Sequence, residues 1–149
     1  MDHREIVTED DRTTLDELDR EECLRLLASM PVGRIAAGRP GQAPLVVPVN
    51  YGLIGDVIIF RSDDGDKLRS LQRGPVTFEV DAIDAFHRIG WSVLVHGVVA
   101  EATPKQVERV CVQPWAPGPK SLWIQLLPAV ITGRRLRLLD VTGDGRGYL

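Results

Sequence analysis

The sequence predicts a mainly β (α+β) domain, a small antiparallel barrel of about six strands with short flanking helices. Two observations lead to this reading. Apolar, alternating stretches recur from Val32 onward and are joined mostly by short turns. Helical periodicity is confined to three short segments, which argues against alternating βαβ units. No GxGxxG follows a strand, so a dinucleotide fold of the Rossmann type is excluded. A small antiparallel barrel closes its own edges and suits the spacing.

Residues 1–17 are acidic and lack a sustained period, so they read as an N-terminal arm. A helix follows: Asp19 is placed as its N-cap with Glu22 three residues on, and Leu24, Leu27 and Ala28 supply one apolar face. Pro31 ends it. VGRIAA (32–37) is the first strand, and GRPGQAP is a turn. PLVVPVNYG (44–52) is the second strand, where Pro48 implies an edge position or a bulge. GDVIIFRS (55–62) is the third strand, and DGDKLRSLQRG (64–74) reads as a tight turn with a short helix. PVTFEVDAI (75–83) and GWSVLVHGVVAEA (90–102) alternate strongly and give the fourth and fifth strands. Pro104 opens a short helix over 104–112, QPWAPGP is a loop, and residues 121–139 supply one or two last strands. The domain therefore spans 18–139, and the Gly-rich tail 140–149 reads as loose.

The chain has 149 residues and a formal charge of -3, a size that suits one domain with a core of its own. The charge is unevenly spread. Residues 1–22 hold ten acids and three bases, whereas the remainder holds eleven acids and fifteen bases. A mildly basic body behind an acidic leader favours a small anionic ligand over nucleic acid, which demands a denser basic stripe. No apolar run approaches the roughly 20 residues of a membrane helix. The first residues show no basic n-region or apolar h-region, so a cytoplasmic protein is expected. Cys23 and Cys111 read as reduced thiols buried in helical segments. His87 and His96 lack a second ligand at metal spacing, so no metal site is expected.

Three segments can carry chemistry. In FRSDDGDKL (60–68), Arg61 offers a planar fork, Ser62 a hydroxyl and Lys67 a point charge for a phosphate near a helix start. Read structurally, the same segment is a surface turn in which Asp63, Asp64 and Asp66 cap the helix. In VVPVNYG (46–52), the proline leaves backbone acceptors for a planar ligand, and Asn50 and Tyr51 can bond or stack; they also suit a plain strand end. In GWSVLVHG (90–97), Trp91 and Ser92 can meet a ligand ring, or Trp91 can be barrel core.

Together with LDREECLRLLASMPVGRIA, FEVDAID, PWAPG and ITGRRL, these segments resemble the pyridoxamine 5'-phosphate oxidase-like, FMN-binding split-barrel family. The likeness is to the branch that also holds nitroimidazole-resistance-type proteins, and it runs from about Leu18 to Leu136. It implies a split barrel and a homodimer with two FMN sites at its interface. Carried over by position, Arg61, Ser62 and Lys67 would hold the phosphate, and Pro48, Val49 and Asn50 would lie along the isoalloxazine ring. Trp91 and Ser92 would make contacts near the ring and phosphate chain, and Trp115 and Trp123 would approach the partner's flavin. Asp66 departs from the family pattern, because a carboxylate beside the phosphate repels it. Leu122 also departs, standing where a polar residue is expected. ITGRRLRLL is only a distant echo of the Arg-rich substrate motif of authentic oxidases, which argues against vitamin B6 oxidation itself.

The implied activity is that of a flavin-dependent oxidoreductase acting on a small unsaturated or nitro-type substrate. Two rivals remain: the same fold using the deazaflavin F420, and a flavin or haem carrier or sensor without turnover. In flavin chemistry the cofactor transfers the hydride, so a missing acid–base residue does not exclude an enzyme.

Overall fold

A computed structural model describes residues 13–62, 71–72, 74–112, 115 and 122–139. Among the described residues, seven strands and two helices follow in chain order: β1 (Thr13–Leu18), α1 (Arg20–Leu27), β2 (Val32–Arg39), β3 (Gln42–Ile54), β4 (Val57–Ser62), β5 (Val76–Asp84), β6 (Ile89–Glu101), α2 (Pro104–Arg109) and β7 (Leu122–Leu138). All pairings are antiparallel, in the order β1-β7-β4-β3-β2-β5-β6, and a further β7–β6 pairing closes the sheet into a barrel. The tail and the segment that carries Asp66 and Lys67 lie outside the described residues.

Long strands make closure possible because each serves more than one neighbour. β7 pairs with β4 through Leu122–Leu126 and with β1 through Gly133–Leu138, while its other edge runs along β6. β3 pairs with β2 through Gln42–Asn50 but with β4 only through Tyr51–Ile54. β3 and β4 therefore part beyond Tyr51 and Phe60, leaving one edge of β3 without a strand neighbour among the described residues. Pro48 sits on that stretch, opposite Arg34 of β2, so the amide hydrogen it lacks is not missed there.

The first strand corrects the reading of the arm, because Thr13–Leu18 is β1 and not part of a loose leader. Charge is the reason. Asp16 and Glu17 stand opposite Arg135 and Arg134, and Arg137 Nε bonds Asp16 at 2.5 Å. The acidic leader thus neutralises part of the basic body instead of leaving it for a ligand.

The interior is filled by Ile35, Phe60, Phe78, Val80, Val93, Val95, Ile124 and Leu126. Gly33 faces this core because the Phe78 ring occupies its side-chain space; a Cβ there would lie 2.2 Å from the ring. α1 covers one end of the barrel. Asp19 caps it by accepting from Glu22 N–H at 2.8 Å, and it buries Cys23, Leu26 and Leu27. The buried face is thus rotated from the expected Leu24, Leu27 and Ala28. Tyr51 Oη donates to the Leu27 carbonyl, joining β3 to the end of that helix. α2 begins at Pro104 with a Thr103–Gln106 capping box. Val110 and Val112 just after it fill the space beside Gly52 on the outer face of β3. Cys111 lies past α2 and is exposed, unlike the buried thiol expected; both cysteines are free. Among the described residues, no helix is long and apolar enough to cross a membrane.

Candidate functional site

Where β3 and β4 separate, three expected residues fall into one row. Tyr51 pairs with Phe60, so Asn50 and Arg61 are the next residues on their two strands, and Arg61 pairs with Trp123 of β7. Alternation sends Tyr51, Phe60 and Ile124 into the core, and therefore turns Asn50, Arg61 and Trp123 to the outer face. The Arg61 guanidinium carbon lies 5.0 Å from the Trp123 ring centroid, a cation–π distance. Ser62, one residue further, points the other way and is the one described polar residue buried in the fold. A planar fork and an aromatic face thus share the outer face, with the Ser62 hydroxyl on the opposite one. That donor set suits an oxyanion attached to a flat ring.

Asn50 is engaged through both ends of its amide. Its Nδ2 donates to the Pro31 carbonyl at 3.2 Å, and its Oδ1 accepts from the Trp115 N–H at 2.8 Å. It thereby ties β3 to the link after α1 and to Trp115. Beside it opens a cavity of about 380 Å³, lined by Ser29, Pro31, Cys111 and Trp115 among others. Tyr51 also lines this cavity, and burial holds its hydroxyl well above its usual pKa. Pro48 is exposed on the same outer face as Asn50, whereas Val49 turns inward and packs against the core.

Trp91 and Ser92 are not in this row. They pair with Arg135 and Arg134 of β7, twelve and eleven positions beyond Trp123, or roughly 40 Å of strand contour. Within one chain they are therefore not ladder neighbours of Arg61. Trp91 packs partly against the core, and it also lines a cavity of about 460 Å³ with Ser92, Asp81, Arg88, Arg134 and Leu15. The charged members of this second site were missed by sequence reasoning. The signal was the alternation of FEVDAID, which places Glu79 and Asp81 on the outer face once Phe78 and Val80 are buried. Arg34 bridges the two carboxylates, at 3.6 Å from Glu79 and 3.2 Å from Asp81. Burial, then the hydrogen bond and charge of Asp81, push the Glu79 pKa up against the pull of Arg34. Among the described residues, no group of three or more His, Cys, Asp or Glu side chains could hold a metal ion.

The family follows from a sequence match superposed on this geometry. A family model described as pyridoxamine 5'-phosphate oxidase matches residues 19–135, which include α1, β2 to β6 and most of β7. The chain belongs to that family. Its relatives include Rv0080 of Mycobacterium tuberculosis, an uncharacterised protein 33% identical over 129 residues, covering 80% of this chain and 84% of that one. A FAD binding protein of Mycobacterium smegmatis shares 28% identity at a TM-score of 0.66, covering 83% of this chain and all of the other. A candidate 5-nitroimidazole antibiotic resistance protein of Bacteroides thetaiotaomicron has a TM-score of 0.64. At 16% identity over 85% of this chain and 90% of that one, the last likeness concerns the fold alone. This member of the pyridoxamine 5'-phosphate oxidase family thus has a flavin-binding type of split barrel, with its outer-face row at the split itself.

Proposed function

We propose that this protein is a flavin-dependent oxidoreductase that holds a flavin phosphate at Arg61, Ser62 and Lys67. The row formed by Asn50, Arg61 and Trp123 carries the reading, because it sets a cation and an aromatic face side by side where the sheet opens. Family membership and the FAD-binding relative support a flavin nucleotide; the riboflavin phosphate unit is common to FMN and FAD. Pro48, Val49 and Asn50 offer the backbone along which the ring lies, and Trp123 offers a face. The bound flavin supplies hydride transfer to a small unsaturated or nitro-type substrate. The protein positions and shields the ring.

We infer that Trp91 and Ser92 join this site from a second chain, since they are not its ladder neighbours within one. We infer a cytoplasmic homodimer in which the Trp91–Ser92 end of one protomer meets the Arg61–Trp123 row of the other. The exposed Pro48 edge of β3 and the half-buried charges around Arg34 supply the surface it covers.

Titrating FMN into the purified protein and following flavin fluorescence tests the phosphate site. Lys67→Ala removes a charge-assisted bond worth about 1.5–3 kcal/mol, or roughly 10- to 150-fold in affinity. The melting temperature is expected to stay the same, because a lysine adds little to core packing. Unchanged affinity in both Lys67→Ala and Arg61→Ala, with folding intact, overturns the assignment.

A further inference from the structure

We propose that the cavity at the Trp91–Ser92 mouth binds an amphipathic carboxylate, its charge on Arg88 and Arg134 and its apolar body against Trp91. This ligand is the substrate, an unsaturated or nitro compound that bears a carboxylate; that assignment rests on the reading above, in which the partner's flavin row closes over this mouth. At about 460 Å³, the cavity falls within the range of small-molecule sites, about 300–1,000 Å³. Leu15, Ile83 and Leu136 line it beside Trp91, and Leu15 and Ile83 are 58% and 74% exposed. Such walls suit a hydrocarbon or aromatic body.

Four charged residues also line the cavity, and their partners decide its sign. Asp81 accepts from Arg34 Nη1 at 3.2 Å. Asp84 accepts from the Phe86 and His87 amides, each at 3.1 Å, and lies 2.6 Å from His87 Nδ1. Both carboxylates are thus engaged. The arginines are not. Of the three on β7, Arg135 and Arg137 are held by Glu22 and Asp16. Arg134 forms no ion pair with Glu17, its register partner on β1. Neither Arg134 nor Arg88 has a hydrogen bond or ion pair among the described residues. The cavity therefore presents two unpaired planar forks, and a carboxylate matches that donor geometry.

Arg88 carries a second, independent mark. Its φ of 56° lies in the left-handed region, where no other non-glycine residue among those described is found. It ends the loop between the paired residues Asp84 and Ile89, at a position that glycine fills without steric cost. An arginine there strains the backbone and gains no contact within the fold in return. A ligand contact supplies the reason for it.

Calorimetric titration of the apoprotein with octanoate, which is saturated and binds without reacting, tests the site in the absence of flavin. Octanoate should bind more tightly than octanol, its uncharged counterpart. Arg88→Gln and Arg134→Gln should each weaken octanoate by about tenfold, the low end for a charge-assisted hydrogen bond, and leave octanol unchanged. Arg88→Gly should weaken octanoate as much while the melting temperature holds or rises, because glycine relaxes the left-handed backbone. No octanoate binding by folded protein overturns the proposal, as does equal affinity for octanoate and octanol or an octanoate affinity unchanged in both glutamine variants. In flavin-loaded protein, octanoate should shift the flavin absorption bands; binding without that shift overturns the substrate assignment alone. Failure to bind any flavin overturns the flavin reading and leaves the carboxylate site in place.

Discussion

The split at Asn50, Arg61 and Trp123 and the opposite mouth at Trp91, Ser92 and Arg134 are both strand-end surfaces of one barrel, yet they are made differently. At the split a ladder stops: β3 and β4 share only four pairs, and the residues just beyond become an outer row beside an uncharged cavity. At the mouth the ladders continue. Ser92 lies between Asp81 and Arg134 on three paired strands, so its surroundings are ionic. An interrupted ladder exposes backbone and a few well-separated side chains, which suits a ligand. A continuous one stacks opposite charges against each other, which suits another protein surface.

The largest expected effect strikes both regions together. Phe60 is 1% exposed and sits directly beneath the Asn50–Arg61–Trp123 row, within the core shared with Val80 and Val93. Phe60→Ala should cost about 3–5 kcal/mol, read as a lower midpoint in urea unfolding. If the protein unfolds in two steps instead of one, the two ends are not a single cooperative unit.

The next effect separates the regions by mixing chains. Arg61→Ala and Trp91→Ala should each weaken flavin binding in their own homodimers, the former by roughly 10- to 150-fold. Unfolding and refolding the two variants together gives mixed dimers in which one of the two sites has both residues intact. Flavin binding should return at one site per mixed dimer. No return would mean that the two ends serve separate purposes.

The smallest effect is confined to the mouth. Arg25, and then Arg135 of β7, hold the Glu22 carboxyl down from 4.5 to about 2. A depressed folded-state pKa means that the ionised carboxylate favours the fold above about 4.5, and that this support fades as pH falls from there towards 2. The 2.8 Å bond from Arg135 to Glu22 joins α1 to β7, so acid should loosen that end first. The melting temperature of Glu22→Gln should fall less steeply than that of the wild type across this window. Asn50, which performs the equivalent tying at the split, does not titrate. Parallel curves for the two proteins would remove Glu22 as the acid-sensitive tie.

Much of the fold was legible because its signals are local. Asp19 capped the helix it was expected to cap, Pro48 marked an edge, and the residues alternating about Phe78 and Val93 form the barrel wall. β1 was not legible. Its six residues carry no apolar period, and only the arginines of β7, more than a hundred positions later, give Asp16 and Glu17 a reason to be extended. The buried face of α1 was misread for a related cause. Several rotations of that helix are amphipathic, and contact of Cys23 with Gly133 selects one of them.

By itself, the sequence determined the class of fold, the strand that contains each candidate residue and the chemistry that each side chain offers. Those properties depend on spacing and side-chain type within a few residues. Only the tertiary structure decided which candidates meet. Register and the early end of the β3–β4 ladder bring Asn50, Arg61 and Trp123 together, while the length of β7 carries Trp91 and Ser92 away from them. Proximity between strands depends on pairing across dozens of residues, and no local pattern encodes it.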